Sequence, residues 1–319
     1  MNKITSYLFI SPAVFLLSLF IIFPMLEVAY FSLLKYSFFG PNEFIGFGNY
    51  SRLFADSNFW WTLFNSLLYV LVTPVLMVVS LVFALSIRNS MRSAKVLRLF
   101  FFLPVITPIV VVGIMWKWIF TEESGLFNYI LSLIGIGNVP WLTDYPTNVL
   151  SVMILTVWRG FGYYMMILLA GMALIPKEIE EAGILDGANP FQQVIHIILP
   201  NLKPTLLFIF VVSSSSAIKL FTELYVLIPG VPMNNKTLVA YLYRQSFERF
   251  DFGYGSALAV VIFIITSVFS FTSLCNFPPF AAKILNFSFS GVAKCCESLR
   301  PLFLFRSPFL TSPGKKFSS

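Results

Sequence analysis

The sequence contains few charged residues and almost no histidine or cysteine. Asp, Glu, Lys and Arg make up 11% of the 319 residues, whereas 58% are hydrophobic and only one is histidine. A soluble domain carries about 25% charged residues. Together with a mean hydropathy of +0.84, this shortage excludes an ordinary soluble domain and predicts an integral membrane protein.

Several kinds of chemistry are excluded by what is missing. The three cysteines all lie at or after Cys275, so they form neither a disulfide framework nor a metal-ligand spacing. No Gly-x-x-x-x-Gly-Lys-Ser/Thr nucleotide-binding motif occurs, and no Ser/His/Asp set accompanies His196. The net charge of +7 is scattered, without the interleaved basic and aromatic residues of nucleic-acid binders. We therefore expect no metal, cofactor, nucleic-acid partner or catalytic residue in this chain.

Long apolar runs in the sequence predict the fold. Because a bilayer core of about 30 Å needs about 20 apolar residues in a helix, the sequence predicts an all-α, polytopic membrane protein. A transmembrane domain is expected over residues 7–273, with about six transmembrane helices at 7–33, 62–87, 99–120, 149–175, 202–228 and 256–273. Prolines within these runs predict kinked helices, which suit a bundle with a pathway better than a simple anchor.

Charges in the loops set the expected orientation. The loop 88–98 has four Lys or Arg residues and no acid, which predicts a cytoplasmic position because basic residues collect in cytoplasmic loops. The loop 117–144 has one Lys against three acids and is expected on the other side. With six spans, both termini are then expected in the cytoplasm.

A polar block, residues 176–200, separates the fourth and fifth predicted spans. We expect a first short helix with Pro176 at its first position, because proline suits that position. Asp186-Gly187 should break this helix, since glycine permits the left-handed conformation of a sharp turn. Asn189-Pro190 should restart it as cap and first residue, and Leu199-Pro200 should end the second helix. The sequence therefore predicts a helix–turn–helix elbow on the membrane surface.

One face of the elbow carries small residues. Ile179, Ala182 and Gly183 recur at helical spacing, and small residues allow another backbone to approach closely. This face favours docking of a soluble partner. An amphipathic connector lying in the lipid headgroups is the alternative.

The elbow resembles a known signature. It reads Glu181-Ala182-Gly183, three residues, Gly187, nine residues, Ile197, one residue, Leu199-Pro200. Binding-protein-dependent ABC importer permeases carry Glu-Ala-Ala, three residues, Gly, nine residues, Ile-x-Leu-Pro at this place, so the one departure is Gly183. Further segments are similar to the sugar-type branch, related to the maltose, multiple-sugar and glycerol-3-phosphate systems. They are 45–50, 101–104, 116–118, 158–160, 184–188 and 250–257.

The resemblance implies a role in a larger assembly. Such permeases pair with a second permease subunit in a bacterial inner membrane, and a cytoplasmic ATPase dimer drives them. An extracytoplasmic solute-binding protein delivers the solute. The elbow would then be the coupling helix, cytoplasmic and seated on the ATPase. Glu181 would make a polar contact there, Ala182 and Gly183 the close approach and Gly187 the turn. The implied coupling residues are Glu181, Ala182, Gly183, Asp186, Gly187, Leu199 and Pro200.

Charged and hydroxyl residues within the spans are candidates for the pathway. Arg159 lies near mid-membrane, where an arginine costs about 2.5–3.5 kcal/mol, so it should face the bundle or an aqueous cavity. It either lines the pathway or forms a structural pair. For Lys219 and Glu223 a structural pair with each other is expected. The serines 213–216 either pack helices together or present hydroxyls to the pathway. Candidate lining residues are Arg159, Ser213 and Ser216.

The end of the chain does not fit the rest. The resemblance covers residues 12–270, whereas the tail 274–319 is rich in Phe, Ser and Pro and keeps no helical or strand period. We expect it to be disordered or the product of a changed reading frame. A genuine extension is the alternative.

Two other functions are alternatives to an importer subunit. A membrane-embedded enzyme needs clustered acids, histidines or metal ligands, which are missing. A secondary transporter of a small polar solute is the remaining alternative. It predicts internal repeats and coupled carboxylates at the midplane, neither of which is evident. The leading hypothesis is a permease subunit that forms half of the pathway for a sugar or related polar solute.

Overall fold

The computed structural model describes residues 3–36, 42–88 and 94–275. The predicted tail lies outside these residues from position 276 onward. In the described part, the chain forms helices joined by short loops and one small antiparallel hairpin, β1 (Leu34–Lys35) with β2 (Glu43–Phe44), in which Leu34 is opposite Phe44. The prediction of an all-α, polytopic fold is confirmed.

The α-helices are numbered in chain order. They are α1 Lys3–Leu17, α2 Phe23–Phe31, α3 Gly48–Ala55, α4 Ser57–Leu68, α5 Val72–Arg88, α6 Ala94–Ile106, α7 Ile109–Ile119, α8 Leu126–Leu133, α9 Thr147–Ala173, α10 Lys177–Leu185, α11 Pro190–Gln193, α12 Leu199–Ile218, α13 Thr222–Leu227, α14 Leu238–Tyr243 and α15 Phe252–Cys275. Short π-helical turns (Ser18–Ile22, Val194–Ile198, Arg244–Glu248) and 3₁₀ turns (Tyr69–Leu71, Met233–Asn235) connect or extend several of them.

Among the described residues, five continuous helical segments are long and apolar enough to cross a bilayer. They are Tyr7–Phe31, Ser57–Arg88, Thr147–Ala173, Pro190–Ile218 and Phe252–Ser273. Each overlaps one of the predicted spans. The first segment differs from the others because no part of its most apolar 18-residue window is buried against the described chain.

The predicted third span, 99–120, is not one straight helix. It consists of α6 and α7, which meet at a bend of 94°. Pro108 cannot donate a backbone hydrogen bond and disfavours helical geometry at Thr107, so α7 restarts only after it. The Thr107 hydroxyl donates to the carbonyl of Pro104 at 2.8 Å. The described chain therefore has five spans, or six if the bent pair crosses the bilayer.

The fifth span also differs from its predicted bounds, 202–228. Its helix starts in the elbow at Pro190 and runs without a break to Ile218. Leu199-Pro200, expected to end the second elbow helix, lies inside it. The π-helical turn carries the backbone through this point, with the Leu199 amide donating to Val194. Because the long helix stops at Ile218, residues 222–227 form the separate helix α13.

Close backbone contacts hold the bundle together. α5, α6, α9 and α12 pack around a core that includes Tyr69, Leu155, Met165 and Leu168. A Cβ atom at Gly162 would overlap the carbonyl of Phe101, so glycine lets α9 touch α6 directly. Such approach favours helix association where lipid offers no hydrophobic driving force.

Candidate functional site: the elbow and a polar cavity

The first elbow helix, α10, begins at Lys177. Pro176 has extended geometry (φ −58°, ψ 134°) and is the residue before the helix. The sequence predicted it as the first helical residue. Glu178 and Glu180 lie in the first turn, where their charges complement the positive end of the helix dipole. Asp186 is the last, half-helical residue.

Gly187 forms the sharp turn of the elbow. Its φ is +82°, a conformation that strains residues with a Cβ. The Gly187 amide donates to Ile184 and the Ala188 amide donates to Gly183, both at 3.0 Å, which is the Schellman arrangement. Asn189 then caps α11, and a reciprocal bond from the Asn189 amide to Gln192 completes a capping box. Local sequence signals therefore define the bend.

The small residues of the elbow face two ways. A Cβ atom at Gly183 would overlap the δ-methyl group of Ile197, so Gly183 faces the second elbow helix. Glu181 and Ala182 are exposed. The close approach of Gly183 is thus made within the elbow, and this contact suits glycine at the position where the resembled family has alanine.

Large apolar side chains are exposed in and beside the elbow. Leu174 is 84% exposed, Leu185 88% and Phe191 72%. Glu181 and Leu185 lie four residues apart on α10, so an acid and an apolar side chain share one exposed face of the elbow.

An ion pair ties the elbow to α5. A guanidinium nitrogen of Arg88 donates to the carboxylate of Glu180, and both side chains are mostly buried. The elbow end of the bundle is therefore the end where α5 finishes. The sequence predicted only a helix-dipole role for Glu180 and not this ion pair, because Arg88 lies 92 positions earlier in the chain.

A polar cavity lies among α5, α9, α12 and α13. Its volume is about 330 Å³. Its lining includes all three residues that the sequence suggested for the pathway, Arg159, Ser213 and Ser216. Its polar lining consists of Thr73, Thr156, Arg159, Tyr163, Tyr164, Ser213, Ser216, Lys219, Thr222 and Glu223. Cavities of about 300–1,000 Å³ with a few convergent polar groups are typical of small-molecule sites.

Arg159 pairs with Glu223 across this cavity. The distance between Nη1 and Oε1 is 3.3 Å, with 34% and 12% of the two side chains exposed. The expected pair of Lys219 with Glu223 is not formed. Because the fifth span ends before Lys219, these residues do not share one helix, and α13 places Glu223 beside α9.

The serines of α12 lie in two different environments. Ser214 is fully buried and donates to the Thr73 hydroxyl at 3.3 Å, which packs α12 against α5. Ser213 and Ser216 line the cavity. Their hydroxyls donate to Phe210 and Val212 within α12.

A second polar cluster lies at the end opposite the elbow. The Asp56 carboxylate accepts hydrogen bonds from the hydroxyls of Tyr241 and Tyr254 and from Asn58. Burial raises the pKa of Asp56, but these hydrogen bonds outweigh it and hold the pKa below the ordinary value of 3.8. Gln245 donates to Tyr241 at 2.6 Å. The cluster fastens the start of α4 to α14 and α15.

No three His, Cys, Asp or Glu side chains converge as metal ligands within residues 3–36, 42–88 and 94–275.

The arrangement as a whole is a kinked helical bundle with a polar cavity and a rigid surface elbow. That combination is typical of a multi-span membrane protein with an internal polar site.

Comparison with known proteins gives the family. Residues 77–277 match the family described as binding-protein-dependent transport system inner membrane component, and the chain belongs to it. The probable ABC transporter permease protein YurN of Bacillus subtilis (strain 168) is 36% identical, covering 84% of this chain and 94% of that protein. The trehalose/maltose transport system permease protein MalF of Thermococcus litoralis is 31% identical, covering 83% and 90%.

The fold has a solved counterpart. A chain in the crystal structure of a bacterial alginate ABC transporter, in complex with an alginate pentasaccharide-bound periplasmic protein, superposes with a TM-score of 0.76. It is 19% identical, and the match covers 89% of this chain and 96% of that chain. The chain is thus a multi-pass permease subunit of an ABC transporter, a transport component and not an enzyme, as the sequence predicted.

The turn geometry predicts the effect of changing Gly187. Gly187→Ala should destabilise the elbow by about 1–2 kcal/mol, because the left-handed conformation disfavours a Cβ by that amount. The expected result is faster proteolysis at the elbow of the purified protein. Gly230→Ala is the matched control, since Gly230 has open space around it and no positive φ. Equal proteolysis of the two variants would contradict the prediction.

Proposed function

We propose that this chain forms half of the translocation pathway of an ATP-driven importer for a sugar. The observation that carries the proposal is the continuous helix Pro190–Ile218, which joins the elbow directly to the polar cavity. A force applied at the elbow would reach Ser213 and Ser216 through one continuous helical segment. The cavity offers Arg159 and Glu223, whose charged groups suit the hydroxyls of a sugar.

The elbow is proposed to be cytoplasmic and to dock on an ATPase dimer. Its exposed acid, Glu181, shares a face of α10 with the exposed side chain of Leu185, a composition that suits a protein groove. ATP would be hydrolysed on that separate chain, and no cofactor would be held here. Arg88, at the start of the basic stretch 88–98, lies at the same end, and the basic charge of that stretch supports the cytoplasmic orientation. With six spans, both termini are proposed to be cytoplasmic.

The first span supports a second permease subunit as partner. Tyr7–Phe31 is unburied within the described chain, and Glu27 near its end forms no ion pair among the described residues. An unpaired acid facing lipid is unfavourable. A second subunit covering this helix would supply both packing and a polar partner.

The proposed solute class rests on similarity. Relatives include sugar permeases such as MalF, and the alginate transporter was crystallised with an oligosaccharide-bound periplasmic protein. With the elbow in the cytoplasm, a solute-binding protein would deliver solute to the opposite end, where the Asp56 cluster lies.

Uptake by the reconstituted complex tests the proposal. The chain would be purified with its co-expressed partners and placed in proteoliposomes with labelled maltose, trehalose and maltotriose. Uptake of at least one sugar should require both ATP on the elbow side and the solute-binding protein, and ionophores should leave it unchanged. Sugar uptake driven by an ion gradient without ATP, or no sugar uptake at all, would contradict it.

A further inference from the structure

A contiguous series of aromatic rings lies at the end opposite the elbow. We define the ring series as six side chains: Phe221, Tyr225, Tyr243, Phe247, Phe252 and Tyr36. Ring centroids are 5.0 Å apart for Phe221 and Tyr243, and 5.2 Å for Tyr243 and Phe247. Ring centroids are 6.2 Å apart for Phe247 and Phe252, and also 6.2 Å apart for Phe252 and Tyr36. Tyr225 packs beside the first two rings, at 5.5 and 5.6 Å.

The two ends of the ring series reach different polar spaces. Phe221 lines the cavity that contains Arg159 and Glu223. Tyr36 lines a second pocket of about 530 Å³ near β1, α3 and the start of α15. Both volumes are in the range of about 300–1,000 Å³ that small-molecule sites occupy. The rings therefore connect two concave polar spaces.

The second pocket, which we call the outer pocket, is basic. Lys35, Arg52 and Arg249 line it together with one acid, Asp251. Arg52 is paired with Asp251 at 2.7 Å. Lys35 and Arg249 are exposed and form no ion pair among the described residues. Two cations are thus available to bind hydroxyl or carboxylate oxygens.

A strained aromatic residue stands at the rim of the outer pocket. Phe250 has φ +58°, the one positive φ of a non-glycine residue in the described chain, and is 45% exposed. Bulky residues seldom adopt this conformation, and such strain clusters at ligand clamps. The strained residue thus lines a pocket that already has cationic donors.

Membrane proteins commonly carry aromatic residues at the lipid interface, and that explanation must be weighed. Interface belts distribute single rings around the circumference of a bundle. Here the rings touch one another in sequence and end at two polar spaces. Phe247 is 57% exposed and Tyr225 51%, so ring surface remains open along the series. Contiguity and the two polar ends favour a solute over a lipid belt.

We propose that the ring series is a binding path for the sugar rings of an oligosaccharide, leading from the outer pocket to the polar cavity. The inference rests on the proposed function and narrows its solute class. The apolar C–H face of a pyranose packs on an aromatic ring. Its hydroxyl groups bond to the charged groups at either end. A chain several sugars long occupies more of the path than a single sugar.

Saturation-transfer difference NMR tests the path. The complete importer would be held in lipid nanodiscs without its solute-binding protein, with maltotriose and trigalacturonate as separate probes. Wild type should transfer saturation to the ring C–H protons of at least one probe. Phe247→Leu and Tyr225→Leu should each lower that transfer at least threefold. Both residues are exposed, so neither change should disturb folding.

Trp118→Leu is the matched control, because Trp118 is 77% exposed and lies outside the ring series. Its transfer should stay at the wild-type level. No transfer to either probe, or equal transfer in all three variants, would overturn the inference. The experiment detects binding and not uptake. Sugar uptake without transfer therefore refutes the path alone, whereas transfer without any sugar uptake refutes the proposed function.

Discussion

Replacing Glu181 by lysine is expected to lower ATP-driven uptake at least tenfold and to leave membrane insertion intact. Glu181 is exposed at the elbow and makes no ion pair among the described residues, so the chain itself loses little. In the proposed complex the new charge would face groups that suit an acid. A tenfold loss corresponds to about 1.4 kcal/mol, and like charges across an interface cost several kcal/mol.

Glu178→Lys provides the matched comparison for this change. It alters the net charge equally, on the same helix and within the first turn, so a general effect of charge or helix dipole should appear in both variants. Uptake and ATP hydrolysis should be measured together in proteoliposomes. A Glu181→Lys importer with wild-type uptake, or equal losses for the two variants, would contradict the proposed coupling role.

Removing Arg159 should have the other large effect. Arg159→Leu leaves Glu223 in the cavity without its partner. Breaking a fully buried pair costs about 3–5 kcal/mol. A third of the Arg159 side chain is exposed, so we expect about 1–3 kcal/mol, the penalty of an unsatisfied polar group. The complex should unfold at a lower temperature, and uptake should fall at least tenfold.

The double variant Arg159→Leu with Glu223→Leu separates structure from transport. Replacing both charges by apolar groups is often neutral for stability, so the unfolding temperature should return toward wild type. If the pair contacts the solute, uptake should stay low. Recovery of both stability and uptake would show that the pair is structural only.

Short-range signals made the elbow predictable from sequence. The bend at Gly187 depends on glycine, and the restart at Asn189-Pro190 depends on capping chemistry, so both are encoded within a few residues. The apolar runs likewise predicted the spans, because bilayer thickness fixes helix length. Gln192, three residues after Asn189, completes the capping box. This spacing is also a signal that can be read from the sequence.

Features that depend on distant contacts were not predictable in this way. Glu223 pairs with Arg159 and not Lys219 because the helix stops at Ile218, and no composition signal marks that stop. Pro200 looked like a helix end, yet a π-helical turn absorbs it. Pro108 predicted a kinked helix, but the size of the bend, 94°, depends on what packs around it.

The uncovered first span, Tyr7–Phe31, has a consequence for the living cell. Lipid satisfies an apolar helix, so a copy made alone would still insert, but this segment would lack lasting protein neighbours and present Glu27 to the bilayer. A subunit without its partner is then open to the proteases that remove incompletely folded proteins. Balanced synthesis of the subunits, and not the amount of this chain alone, would then set how many finished importers accumulate.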